Sequence, residues 1–465
     1  MHHKGKVMPL WRTSLPAFGL VLCLSGCATI RSYDKELHTT LDFTTSGYVD
    51  GAIRTLESNN SLSDKDLLFY LELGMLQRLG NRYLESQKSW MRANSRIQIP
   101  EQSALPKVLN LLRGASSYVI NDKLRSYEAH DYEKVMLLNY FALNYLAIGD
   151  YESARVAIKQ THELEAVIRE ARAKAVAEVE AEAKKRGAPV NLKELDGYPV
   201  EIIDNPAVNA LKNSYQSALS HYLAGFIYES LGETSLAAPG YRLANELQPN
   251  TPLLESALSG LNQRAAAPGD GLTDVLFVLA SGSAPALKSR QFRLPIRVQG
   301  RLMLPSVSFP VMAVTSKPTP LRLTVGDGVS LSVAPITSVD LMARRQLKDN
   351  LPGLILRATI RSTTMAVAQY QLQHGGDGQN AAVKQTAAIA LMAGSALIES
   401  ADERIWRTLP AEIFIARTRL PAGAHLVTLQ TPEGVRRAQV KVSGRYAVVE
   451  FRLLGQQLFV QSPSK

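Results

Sequence analysis

The stretch that decides the fold is His221–Pro249, which reads HYLAGFIYESLGETSLAAPGYRLANELQP. Apolar residues recur every three or four positions on both sides of Gly232, a pattern that predicts two amphipathic helices joined by a turn. Gly232 suits the turn because glycine adopts left-handed backbone angles without strain. Gly225 and Ala237 are small where the two helices would cross, and Pro249 would end the second helix.

This spacing agrees with the tetratricopeptide repeat (TPR), a unit of two antiparallel helices. Tyr228 and Tyr241 would fill the space between the helices. We predict that the matching positions pack the repeat: Gly225, Tyr228, Gly232, Ala237, Tyr241, Ala244 and Pro249.

Two further copies precede this unit. Val135–Ala166 has Tyr145, Gly149 and Ala154 at the same spacing, and we predict that these three also pack a repeat. Asp66–Ile97 is a weaker copy, in which Gly80 predicts a turn that is one residue longer. Ordinary helical hairpins that happen to share this spacing are the alternative.

Stacked repeats bury their faces against one another and leave a concave surface. Residues 28–264 are therefore predicted to form an all-α, TPR-like arch that holds a peptide or helix of a partner protein. Within it, Thr161–Arg186 carries one apolar stripe at helical spacing and predicts a helix that overruns its repeat. A solvated extension is favoured over a partner-binding helix.

The C-terminal part has a different periodicity. Residues 265–271 are a breaker-rich linker, and 272–465 are predicted to form a mixed α/β domain with β-sandwich-like strands, so that the whole chain is an α+β multidomain protein. Pro352 separates two predicted helices, Ser338–Asn350 and Leu354–Tyr370. Thr386–Ile398 is a short apolar helix for which burial against the sheet is favoured over lipid or partner binding. The predicted strands are Val275–Leu279, Arg293–Val298, Val307–Val314, Leu321–Val325, Val329–Val333, Ile413–Arg417, Leu426–Gln430, Ala438–Val442 and Ala447–Arg452.

The charge is unevenly distributed. The chain carries a formal net charge of +10, with +3 in residues 1–27, +12 in residues 271–465 and, by difference, −5 between them. A basic part joined to an acidic part is not the pattern of a uniformly basic nucleic-acid binder. The basic part could contact an anionic glycan, phospholipid headgroups or an acidic protein, or it could pair with the acidic part of the same chain.

The first 27 residues are typical of a secretion signal. Lys4, Lys6 and Arg12 precede the apolar stretch Leu15–Leu24, which is too short for a permanent membrane span. Leu24-Ser25-Gly26-Cys27 resembles the bacterial lipobox. The resemblance implies cleavage before Cys27 and acylation of its thiol with chains such as palmitate. A cleaved signal with a chance cysteine is the alternative.

Ala28 follows the lipidated residue. By the sorting rule of enteric bacteria, this residue implies an outer-membrane lipoprotein that is lipid-anchored and faces the periplasm. More than one acyl chain gives stable membrane anchoring. Cys23 would be discarded with the signal, so the mature chain would hold no free thiol, which suits an oxidising compartment.

No catalytic constellation stands out in the sequence. Phosphate-binding loops, nucleophile elbows and zinc-binding helix motifs are all missing, so we expect neither an enzyme, nor a cofactor, nor a metal site. The only acids close together in the C-terminal part are Asp402, Glu403 and Glu412. Trp406 is interpreted as a buried anchor for neighbouring ion pairs, with a binding spot as the alternative. The mature chain's histidines are scattered: His38, His130, His162, His221, His374 and His425.

Three segments resemble a largely uncharacterised family of TPR-containing bacterial lipoproteins: 127–133 (YEAHDYE), 142–150 (ALNYLAIGD) and 401–410 (ADERIWRTLP). Its genes often lie beside a small lipoprotein of the penicillin-binding-protein-activator type. The resemblance implies a role in cell-envelope assembly and supplies no catalytic residues. We therefore predict a non-catalytic scaffold that binds an envelope protein, in cell-wall synthesis or an exported machine. A cell-wall or lipid enzyme, or a glycan- or lipid-binding module, is the alternative.

Overall fold

The computed structural model describes residues 33–60, 65–98, 126–186, 204–266, 271–293, 296–298, 301–303, 306–314, 322–326, 328–374 and 401–462. A helix-rich N-terminal region is followed by a sheet-containing C-terminal region, which agrees with the predicted α+β class. Cys27, the signal and Thr386–Ile398 lie outside the described residues. No helix among those described is both long and apolar enough to cross a membrane.

The helices of the N-terminal region pair into antiparallel hairpins, in which α1 packs on α2, α3 on α4, α5 on α6, and α8 on α9. The helix α6 extends beyond its hairpin to Arg186, as the sequence predicts. In chain order the helices are α1 (Tyr33–Thr45), α2 (Val49–Asn59), α3 (Leu67–Leu79), α4 (Tyr83–Gln98), α5 (Asp131–Ala147), α6 (Tyr151–Arg186), α7 (Pro206–Ala210), α8 (Ala218–Ser230), α9 (Thr234–Leu247), α10 (Pro252–Ser259), α11 (Leu261–Ala266) and, in the C-terminal region, α12 (Val339–His374).

The same three-residue turn joins the helices of all four hairpins. Its middle residue has a left-handed backbone, with φ of 86° at Gly47, 58° at Asn81, 78° at Gly149 and 80° at Gly232. The backbone N–H of its third residue donates to the carbonyl oxygen of the residue five positions earlier, at 2.8–2.9 Å in each turn.

Two sequence predictions change at these turns. Gly80 has a φ of −82°, and the left-handed position belongs to Asn81, so the predicted longer turn is wrong. Asparagine takes this conformation more readily than most side chains. The hairpin around Gly47 was not predicted, although a glycine between two helical patterns was the available signal.

The thirteen strands described form two main sheets and two ribbons. The first sheet has the order β13-β12-β1-β9-β8, with β1 and β12 parallel and the other neighbours antiparallel, and the second has the order β11-β10-β6-β7. The strands are β1 (Leu272–Ser281), β2 (Leu287–Arg293), β3 (Ile296–Val298), β4 (Arg301–Met303), β5 (Ser306–Met312), β6 (Arg322–Val325), β7 (Val329–Leu331), β8 (Ala334–Ser338), β9 (Glu412–Pro421), β10 (Gly423–Thr431), β11 (Gly434–Val442), β12 (Tyr446–Leu454) and β13 (Gln457–Gln461).

Pro352 lies inside α12 and does not divide it, so the prediction of two separate helices is wrong. A proline removes one backbone donor and kinks a helix, and a long helix can continue beyond that single lost bond.

The first sheet is buried on both faces. Val275 and Phe277 of β1 share an apolar cluster with the second sheet, whereas Leu276 and Val278 pack in the core of the helices. This position in the middle layer explains why Val275–Leu279, the centre of β1, is continuously apolar rather than alternating. The chain thus forms three layers: helical hairpins, the first sheet and the second sheet. The predicted domain boundary at 265–271 stays a prediction. One hydrophobic core contains residues from both sides of it, such as Leu261 and Leu276, so packing does not separate the two regions there.

Candidate functional site

A segment of the C-terminal region lies across the first helices of two hairpins. The backbone N–H groups of Arg407 and Thr408 donate to the carboxylate of Glu72 on α3, at 2.7 and 3.0 Å. The N–H of Trp406 donates to Glu133 on α5, at 2.7 Å. The helices therefore hold residues 401–411, which we call the docked segment, through its backbone, as they would hold a peptide.

The side chain of Trp406 anchors the docked segment. It is fully buried, and its ring meets that of Trp90 edge-on with 6.1 Å between centroids. The indole N–H donates to the hydroxyl of Thr408 at 2.9 Å, so burial leaves no orphaned donor. The Trp406 side chain thus lies among aromatic side chains of the helices, Trp90 and Tyr140.

Glu72 is the most unusual acid at this contact. Burial raises its pKa to about 7, and the hydrogen bonds from Thr408, Arg407 and Tyr33 only partly oppose that rise. The pKa of Glu72 therefore lies near neutral pH, well above that of an exposed carboxyl. Its position between two hydrophobic neighbours, Leu71 and Leu73, was a signal that sequence reasoning missed.

We expect Glu72 to make stability depend on pH. A folded-state pKa of about 7, above the ordinary 4.5, contributes stability that is complete below pH 4.5 and is lost as the pH rises through 7. Relative to Glu72→Gln, which does not titrate, the wild type should lose about 2–3 kcal/mol between pH 5 and pH 8. Urea denaturation of both proteins across this range measures the difference. The lowered pKa of His162 affects both proteins equally and cancels. Parallel pH profiles would contradict the expectation.

A second buried network joins the last hairpin to the first sheet. Arg417 on β9 pairs with Asp274 on β1 at 2.8 Å and with Glu229 on α8 at 2.9 Å. Arg264 pairs with Glu229 at 2.7 Å, and the Tyr241 hydroxyl donates to the same carboxylate. Burial alone would raise the pKa of Glu229, but its bond from Arg264 and the charge of Arg417 lower it.

A third contact joins α3 to β12. Arg78 is 2% exposed and pairs with Glu450 at 2.5 Å, and it also donates to Asn144 on α5. We call α3, α5 and α8, the first helices of the last three hairpins, the inner helices. The three contacts together cover them with the first sheet and the docked segment of the same chain. The surface where the sequence predicts a partner peptide or helix is filled by this chain itself.

The predicted TPR packing residues lie at the helix crossings. A Cβ on Gly225 would come 2.6 Å from the ring of Tyr241, and a Cβ on Gly240 would come 2.7 Å from the backbone N of Gly225. Gly149 and Gly232 take the turns, and Pro249 follows the end of α9. The fully buried members are Ala154, Ala237, Tyr241 and Ala244, while Tyr145 and Tyr228 are partly buried against the same core.

The predicted candidates for chemistry do not converge. Asp402 pairs with Arg404, Glu403 accepts the N–H of Ser289, and Glu412 accepts the hydroxyl of Ser338. His221 is buried in the core, stacked on His162 and 3.3 Å from Glu165. Within the described ranges, no group of three or more histidines, cysteines or acids is arranged to hold a metal ion.

The outer face of the second sheet is exposed and basic. Arg437 and Lys441 on β11 and Arg322 on β6 point to this face, with Leu426 and Val435 each half exposed between them. No carboxylate occupies the described positions of this face. We call it the basic sheet face.

Comparisons with known proteins place few limits on function. No protein-family model matches the chain, and no curated protein matches it. A solved TPR protein from Parabacteroides merdae ATCC 43184 is similar at 15% identity, over 50% of this chain and 98% of its own length, with a TM-score of 0.14. A TM-score this low does not establish a shared fold. The description of the hairpins therefore rests on their own turns and contacts.

Proposed function

We propose that this protein is a non-catalytic scaffold lipoprotein of the bacterial cell envelope. The observation that carries the proposal is the set of four helical hairpins with one common turn. TPR proteins are built from successive helix–turn–helix units of this kind. The lipobox at Cys27 and the resemblance to TPR-containing lipoproteins support an anchored form that faces the periplasm.

The partner contacts this proposal requires lie outside the covered inner helices. The basic sheet face is the best candidate, because the described residues place no carboxylate on it and its two exposed apolar side chains can lie against a partner. Its charge favours an anionic partner, either an acidic envelope protein or an anionic wall polymer. The glycan- or lipid-binding module is thus the second candidate function, and it uses the same face.

Charge reversal tests the basic sheet face. Arg322→Glu, Arg437→Glu and Lys441→Glu together should abolish salt-sensitive co-sedimentation with cell-wall sacculi and cross-linking to envelope proteins in cells, because each exposed cation attracts the partner through solvent. Arg169→Glu, Lys174→Glu and Lys184→Glu on α6 change the net charge equally and should retain both interactions. Equal behaviour of the two triple variants would refute this face as the contact.

Cys27→Ser tests the anchor. Only a thiol accepts the diacylglycerol, so the variant should leave the membrane fraction completely, whereas the wild type should remain after a high-salt wash. Fractionation and immunoblotting of both proteins provide the measurement. A variant that stays in the washed membranes would contradict the lipoprotein hypothesis.

The enzyme alternative makes a different prediction. An enzyme concentrates its activity in a few groups, so losing one can remove the activity while the fold survives. A stable, normally abundant Asp402→Asn, Glu403→Gln or Glu412→Gln variant that fails to complement a deletion strain would favour an enzyme over the scaffold.

A further inference from the structure

A small cavity lies where the N-terminal hairpin, the docked segment and β12 meet. Its volume is about 10 Å³, which is room for one water-sized species. Four hydroxyl side chains line it together with Arg452: Thr44, Thr45, Ser283 and Thr408. Thr45 is exposed, so the cavity borders solvent on one side.

Arg452 gives this cavity its chemistry. The residue is 1% exposed, and its Nη2 donates to the carbonyl of Thr408 at 3.2 Å. Its Nε and Nη1 have no hydrogen-bond partner. A buried donor without an acceptor costs free energy, and a guanidinium cannot relieve that cost by becoming neutral. Two nitrogen atoms of a cavity-lining residue, with three N–H groups between them, therefore require an acceptor that the described residues do not supply.

The neighbouring acids are engaged elsewhere. Glu450, on the same strand, pairs with Arg78 at 2.5 Å, and Glu72 accepts the backbone N–H groups of Arg407 and Thr408. Burial lowers the pKa of Arg452 to about 10, and the neighbouring Tyr140 and Glu450 offset only part of that effect. Arg78 and Arg452 are thus both buried near Glu450, and only Arg78 forms an ion pair with it.

We propose that the cavity beside Arg452 binds a small monovalent anion, with chloride as the physiological ion. The unpartnered N–H groups of Arg452 and the hydroxyl of Ser283 supply donors, and the ion supplies the missing negative charge. Bound there, it would connect α1, the docked segment and β12. This structural site is independent of the scaffold role.

Halide-dependent unfolding tests the site. At constant ionic strength, replacing sodium gluconate with sodium chloride or bromide should raise the thermal midpoint of the full mature chain saturably, because an ion that binds only the folded state stabilises it by mass action. Arg452→Leu should abolish this halide response. Arg242→Gln, which removes an exposed arginine on α9, should keep it and controls for general salt effects.

Crystals of the wild type soaked in bromide provide a second measurement that does not depend on the variant's folding. An anomalous peak beside Arg452 would support the proposal. Water alone in the cavity, with no halide-specific change in the thermal midpoint of the wild type, would overturn it.

Discussion

Glu450→Gln should lower the free energy of unfolding by about 3–5 kcal/mol, because it leaves the buried guanidinium of Arg78 without the negative charge that pairs with it. The groups that remain around Arg78, such as the amide oxygen of Asn144 and the rings of Tyr83 and Tyr140, are neutral. Arg452 on the same strand would also lose its nearest carboxylate. Chemical denaturation followed by far-ultraviolet circular dichroism measures the change.

Two matched variants separate this effect from a general loss of charge. Asp50→Asn breaks the exposed pair with Arg82 and should cost no more than about 1 kcal/mol, because solvent screens that pair. Adding Arg78→Met to Glu450→Gln removes the orphaned charge and should recover much of the loss. A Glu450→Gln protein as stable as Asp50→Asn would contradict the importance of the buried pair.

Trp406→Ala should cost about 3–5 kcal/mol, the range for removing a large aromatic side chain from a packed core. The substitution leaves a cavity beside Trp90 and Tyr140. It also removes the indole N–H that donates to the hydroxyl of Thr408. Because Trp406 ties the docked segment to the helices, limited proteolysis should also cut near residues 401–411 faster. Denaturation curves and cleavage rates provide the two measurements.

Leu84→Ala is the control for Trp406→Ala. Leu84 is 66% exposed on α4, so its loss should change stability by about 0.5 kcal/mol or less. Trp406→Phe keeps an aromatic ring and should fall between the two. Unchanged proteolysis of Trp406→Ala at residues 401–411 would show that the segment is held by its backbone bonds alone.

These contacts close the surface that an arch of helical repeats would otherwise offer to a partner. An open concave surface would present α3, α5 and α8 to a partner. Here Glu72, Glu133 and Glu229 on those helices bind the docked segment and the first sheet. A scaffold role therefore depends on the outer surfaces, and the inner face serves to join the two regions.

The sequence determined the local structure of the hairpins. Small residues at the crossings, such as Gly225 and Ala237, and glycines at the turns predict these elements because helical spacing and left-handed backbone angles are local properties. The same reasoning misplaced the turn at Gly80 and missed the hairpin at Gly47, since asparagine can replace glycine at one turn and the other lacks a full repeat pattern.

Only the tertiary structure decided how the two regions meet. The buried charges pair over long distances in the sequence, 372 residues for Arg78 with Glu450 and 188 for Arg417 with Glu229. The strand that carries Glu450 is apolar except for Glu450 and Arg452. No sequence spacing connects such residues, because burial and partner choice arise when the first sheet packs on the helices. Periodicity predicts which elements form, and the free energy of burying them together decides which of their surfaces stay open to a partner.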